Sequence, residues 1–127
     1  MKRLLLDTEA FIWWDANDPQ LGGNARTLIQ NADEVYVSAA SAWEITIKVA
    51  LGKLQTTRRP SRAVAESGFE ELPITFEHAE AVADLPRHHN DPFDRLIVAA
   101  AGIESLTIVS SDRLLGPYGR PLVDARS

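Results

Sequence analysis

No cysteine occurs in the 127 residues. Disulfides, thiolate zinc sites and cysteine nucleophiles are therefore excluded, and a cytoplasmic setting is the expectation. Long apolar runs are missing too. The opening Leu4-Leu5-Leu6 is cut off by Asp7. That run is too short for a signal-peptide core, and nothing in the chain approaches the roughly 20 residues of a membrane span. Excess positive charge is absent: 13 basic and 18 acidic residues give −5, the opposite of a simple nucleic-acid-binding module. There is no internal repeat and no low-complexity tract. What remains is 45% hydrophobic and 24% charged, the balance of one compact domain spanning residues 1–127.

The charge is unevenly placed. Lys48, Lys53, Arg58, Arg59 and Arg62 lie in a segment free of acids. This segment carries +5, which leaves −10 on the rest of the chain (−5 less +5). A basic stretch on an acidic body is either a solvated helix end and loop or a contact for a polyanion, with Lys53, Arg58 and Arg59 as candidates.

Strand and helix signals alternate. Arg3–Leu6, Glu34–Val37, Leu106–Val109 and Pro121–Val123 read as strands, with a short extended piece over Glu71–Ile74. Helices are expected over Ala10–Trp14, Asn24–Asn31, from Ser38 or Ser41 to Leu51, over Arg62–Ser67, from the Thr75 cap to Leu85, and from Asp91-Pro92 to Ala101. Asp112 to Leu115 reads as a turn or short helix. Within the third helix Trp43, Ile47 and Leu51 share one face, expected to be buried; in the fifth, Ala79, Val82 and Ala83 are expected inward. This order implies an α/β layer fold around a mostly parallel sheet.

Ligands of such sheets sit outside the carboxyl ends of the strands. Asp7 follows the first strand and Asp112 the strand at Leu106–Val109. Asp94 lies in the first turn of its helix, and Glu44 early in the helix after the second strand. Each has a local explanation: Asp7 ends a strand, Glu44 pairs with Lys48 four residues on, Asp94 favours a helix dipole and Asp112 opens a turn. Together at one sheet edge, four carboxylates repel unless protons or cations compensate. Oxygen-only acidic sites suit Mg²⁺ or Mn²⁺ and phosphodiester hydrolysis. Asp91 is accounted for as a helix cap. His88 and His89 are assigned to a loop contact with substrate or to the surface, and Trp13, Trp14 and Trp43 to core or interface.

Leu4-Leu5-Leu6-Asp7-Thr8, Ser38-Ala39-Ala40-Ser41-Ala42-Trp43-Glu44-Ile45, Lys48-Val49-Ala50-Leu51-Gly52-Lys53-Leu54 and above all His88-His89-Asn90-Asp91-Pro92-Phe93-Asp94-Arg95-Leu96-Ile97 resemble PIN-domain proteins, and among them the VapC-type toxins of prokaryotic toxin–antitoxin pairs. The resemblance runs from Leu4 to about Tyr118. It implies a three-layer α/β/α fold with a central, mostly parallel sheet. It also implies a Mg²⁺- or Mn²⁺-dependent endoribonuclease that blocks translation, a homodimer, and a cognate antitoxin lying over the active-site groove. The family's acidic quartet falls on Asp7, Glu44, Asp94 and Asp112. Its small hydroxyl residue, more often Thr, falls on Ser110, in a supporting hydrogen-bonding role. Glu9 stands where many relatives carry His or Asn.

Two rivals are weaker. An aspartyl-phosphate phosphatase needs a second Asp at position 9, where Glu9 stands, and a receiver-type domain needs a late-strand Lys that Val123-Asp124-Ala125 does not offer. A non-catalytic RNA- or protein-binding module would leave the acids without a task.

Overall fold

The computed structural model describes residues 2–127. Its elements are β1 (Arg3–Leu6), α1 (Thr8–Asp15), α2 (Gly23–Asn31), β2 (Glu34–Ser38), α3 (Ala39–Ala50), α4 (Pro60–Glu66), β3 (Glu70–Leu72), α5 (Phe76–Ala81), a 3₁₀ turn (Val82–Asp84), α6 (Pro92–Glu104), β4 (Thr107–Ser110), a 3₁₀ helix (Arg113–Tyr118) and β5 (Leu122–Asp124). The five strands form one sheet in the order β3-β2-β1-β4-β5. Every pairing is parallel, so the sheet is wholly rather than mostly parallel.

β1 is the central strand and is buried on both faces, which is why it reads as an unbroken leucine run rather than an alternating one. Leu4 and Leu6 join Phe11, Trp13, Ala25, Ile29, Ile45 and Val64 on one side. Leu5 points the other way, to Ile97, Val98, Ala101 and Leu115. The result is three layers, with α1, α2 and α4 on one face and α6 on the other. Among the described residues no helix is long and apolar enough to cross a membrane.

Two expected faces are corrected. Trp43 is 64% exposed and Leu51 63%. The buried residues of α3 are Ala40, Ser41 and Ile45, two small side chains that let the start of the helix sit close to the sheet and one apolar anchor in the core. In α5 the inward residue is His78; Ala79 and Ala83 are exposed and Val82 is half-buried. The switch to a 3₁₀ turn at Val82 changes the angular step per residue and moves the face. α6 also runs on past its expected end. Gly102 is inside it because the Arg120 side chain crosses there: a Cβ would meet Arg120 Nε at 2.5 Å.

α6 stops at Ser105, which is left-handed (φ 57°, ψ 50°). A Cβ is costly there. Ser105→Gly is expected to stabilise the protein by about 0.5–1 kcal/mol and to raise the thermal midpoint by a few degrees. An unchanged or lower midpoint would show that the strain at this cap is already offset.

Candidate active site

From β1 the chain steps to β2 and β3 on one side, and β4 leads to β5 on the other. The crevice at this reversal lies at the carboxyl ends of β1 and β4, where open α/β sheets bind ligands. Asp7 occupies it from β1. Its backbone N–H continues the ladder to Val109 O (3.0 Å), and its Oδ1 caps α1 by accepting from Ala10 N–H (2.8 Å). The side chain is buried, and burial pushes the carboxyl up to about 6. The hydrogen bonds from Ser110 and Ala10 pull the other way, while the charges of Glu9 and Asp112 add to the rise.

Ser110 ties the two strands together chemically. Its Oγ accepts the Asp112 N–H (3.0 Å) while its hydroxyl serves Asp7. Asp112 caps the following 3₁₀ helix, its Oδ1 accepting from Leu114 N–H (2.9 Å). Asp94 enters from the first turn of α6, whose start is fixed by Asp91. One oxygen of Asp91 accepts both Phe93 N–H (2.9 Å) and Asp94 N–H (3.2 Å). The Asp94 carboxyl is pushed up to about 7, first by burial, then by the charges of Asp91, Asp7 and Asp112, against a smaller opposing pull from His89.

Asp94 and Asp112 thus meet beside His89, and Asp7 is near enough for its charge to act on Asp94 and to feel that of Asp112. Glu44 is attached through the neighbour of Asp7: the Thr8 hydroxyl donates to Glu44 Oε1 (2.7 Å). Its other oxygen pairs with Lys48 at 3.2 Å, the local i, i+4 pairing weighed from sequence. Glu9 is exposed on α1.

Of the two places expected for His89, a loop contact with substrate and the surface, the structure excludes the second. His89 is not a surface residue: its Nε2 lies 2.7 Å from Asp112 Oδ2 and 3.1 Å from Asp94 Oδ2. His88 does behave as a loop residue, edge-on to Tyr118 with centroids 5.0 Å apart. The only local sign of the difference is that His89 stands two residues before a strong helix cap.

The basic segment divides. Arg58 is bound to Asp15 (2.6 Å) and Glu66 (2.7 Å). Lys53 and Arg59 are exposed and make no ion pair among the described residues. Trp13 is buried, Trp14 donates from Nε1 to Ser67 Oγ (3.1 Å), and exposed Trp43 meets Phe93 edge-on at 5.6 Å.

The pocket suits a hard divalent cation. Two of its carboxyls hold protons unusually well because burial and mutual repulsion go uncompensated, and oxygen donors predominate. One donor atom from each of His89, Asp94 and Asp112 lies within 4.8 Å of the others.

Fold and pocket together define a carboxylate-centred α/β/α domain with its site at the sheet's switch point. Residues 4–116 match the profile of the PIN domain, and the chain belongs to the PIN-domain family. It is similar to Ribonuclease VapC22 of Mycobacterium tuberculosis (strain ATCC 25618 / H37Rv), with 31% identity over 129 residues and 95% of each chain covered. Among solved structures it resembles the DNA-bound VapBC of Salmonella typhimurium (TM-score 0.70, 20% identity, 98% and 99% covered). It also resembles VapBC2 of Rickettsia felis bound to a promoter DNA fragment (TM-score 0.70, 15% identity, 95% and 97% covered). At those identities the structures establish the shared fold.

Proposed function

We propose that this protein is a Mg²⁺- or Mn²⁺-dependent endoribonuclease and the toxin of a toxin–antitoxin pair, acting on RNA in the cytoplasm. What supports the reading is that Asp94 and Asp112 meet beside His89 while the charge of Asp7, from a third distant stretch of chain, reaches both. Likeness to a ribonuclease over 95% of the chain supports the choice of substrate.

In this reading Asp7, Asp94 and Asp112 hold the cation directly or through water, and Glu44 completes the shell or orients the attacking water. A cation held there would supply a water of lowered pKa and would offset charge developing on the phosphate and departing oxygen. Ser110 keeps Asp7 and Asp112 in register across the two strands. Thr8 and Lys48 keep Glu44 from turning outward. The test is cleavage of total cellular RNA by purified, antitoxin-free protein. Discrete fragments are expected in Mn²⁺ or Mg²⁺ and none in chelator; no cleavage from folded protein in either metal would overturn the reading.

RNA is held in part by the basic segment. Arg58 already serves Asp15 and Glu66, so Lys53 and Arg59 are the clean probes. Lys53→Gln with Arg59→Gln is expected to weaken RNA binding a few-fold and to flatten its salt dependence by about two phosphate contacts. Mn²⁺ affinity should stay the same. Unchanged binding at low salt would remove these residues from the interface. The exposed Trp43, Val49 and Leu51 of α3 support a protein partner on that helix, whether antitoxin or second copy.

A further inference from the structure

The position of His89 admits two opposite roles. Its Nε2 is near enough to Asp94 and Asp112 to be a third ligand of the same cation, or it is a hydrogen-bond donor to the carboxylates that hold the cation. The far side of the ring decides between them. The Asp91 backbone N–H donates to His89 Nδ1 at 3.0 Å. A backbone N–H can only donate, so Nδ1 carries a lone pair and the neutral ring carries its proton on Nε2. A ring bound to metal through Nε2 would need its proton on Nδ1. Two N–H groups would then face each other in a half-buried place, at the cost of an unsatisfied donor.

The ring has little freedom to escape this. Asp91 is fixed as the cap of α6 through Phe93 and Asp94 N–H. The loop before it is pinned by Arg95, one residue after Asp94. Nη1 of Arg95 donates to Pro86 O (3.0 Å) and His89 O (3.4 Å), and Nη2 to Val82 O (2.9 Å). Turning the ring over by 180° would place carbons against both Asp91 N–H and the carboxylates, losing both sets of bonds.

We propose that His89 is a positioning residue whose Nε2–H is held between Asp94 and Asp112, aiming these carboxylates at the cation without ligating it. The proposal rests on the reading of the acidic pocket as a metal site. In the His89-Asn90-Asp91-Pro92-Phe93-Asp94-Arg95 stretch each polar anchor then has a separate task. His89 orients the acids, Asp91 sets the histidine's tautomer and caps the helix, Asp94 is a ligand, and Arg95 fastens the loop.

Imidazole ¹⁵N spectra of the full chain at about pH 8, where an ordinary imidazole is neutral, read the tautomer directly. The signals of His89 are identified by their loss in His89→Gln. His78 serves as an internal reference, because Thr75 N–H faces its Nδ1 (3.3 Å) and Glu104 its Nε2 (2.7 Å). His89 is expected as Nε2–H both without metal and with saturating Mg²⁺. An Nδ1–H pattern in either state would overturn the proposal. Mn²⁺ affinity provides the second readout. His89→Ala is expected to bind about 10–100-fold more weakly, and His89→Gln, whose amide can still donate, to recover most of that loss. Equal losses in the two variants, or none in either, would also overturn it. Wild-type protein that binds no Mn²⁺ would defeat the metal reading instead, while the metal-free spectrum would still decide which atom of His89 carries the proton.

Discussion

Asp94→Asn is expected to abolish metal-dependent RNA cleavage, lowering the rate at least about 10³-fold, and at the same time to make the metal-free protein more stable. The first effect follows from ligand charge. Replacing one of three converging carboxylates by a neutral amide removes several kcal/mol of interaction with a divalent cation, and 4 kcal/mol is roughly a thousandfold in rate. The second follows from the cation's absence. The Asp94 carboxyl is pushed up to about 7 by burial and by Asp91, Asp7 and Asp112, so above that pH its charge opposes folding. The amide has the same shape and no charge. Cleavage assays beside thermal denaturation in chelator test both effects. A variant that cleaves like wild type would remove Asp94 from the site. One that melts lower than wild type at about pH 8 would show that its charge is compensated in the native state.

Without metal, stability is expected to fall as pH rises from about 4 to 7. Asp7 (pushed up to about 6) and Asp94 (to about 7) both exceed the ordinary aspartate value of about 3.9. Within that window the native state binds more protons than the unfolded chain, so raising the pH destabilises it. The benefit of holding these protons is complete below about pH 4 and lost above about pH 7. For fully buried Asp7 it amounts to on the order of 3 kcal/mol. Other carboxylates, such as Glu66 held low by Arg62, tilt the curve oppositely, so the informative quantity is wild type minus Asp94→Asn. That difference is expected to slope downward with pH in chelator. Saturating Mg²⁺ should reverse the slope, because binding displaces the protons, and should add about 2.7 kcal/mol at 100 times its dissociation constant. A flat difference in chelator would mean that Asp94 titrates normally.

Much of this site was legible one residue at a time. Asp7 and Asp112 stand where apolar strand signals stop, and Asp94 three residues inside an Asp-Pro helix start. These local signals also locate residues in an α/β layer fold. His89 was not legible, because adjacent histidines look alike in sequence and only tertiary packing turns one toward the acids. The ion pairs of Arg58 were not legible for a similar reason, since its partners Asp15 and Glu66 lie 43 and 8 residues away. The α3 stripe shows a different limit. Periodicity tells which residues share a face but not which way the face points. Trp43, Ile47 and Leu51 do share a face, and the sheet took the opposite one, lined by smaller side chains.

The pairing of β1 with β4, Leu5 opposite Ile108, governs how the molecule is born. Once made, β1 must wait for this second neighbour until about a hundred further residues have been added, roughly 5–20 s at ordinary elongation rates. Throughout that interval β1 has only β2 beside it in the sheet, and Asp7 has no Asp112. Asp7 and Asp112 can therefore come together only after β4 has been made.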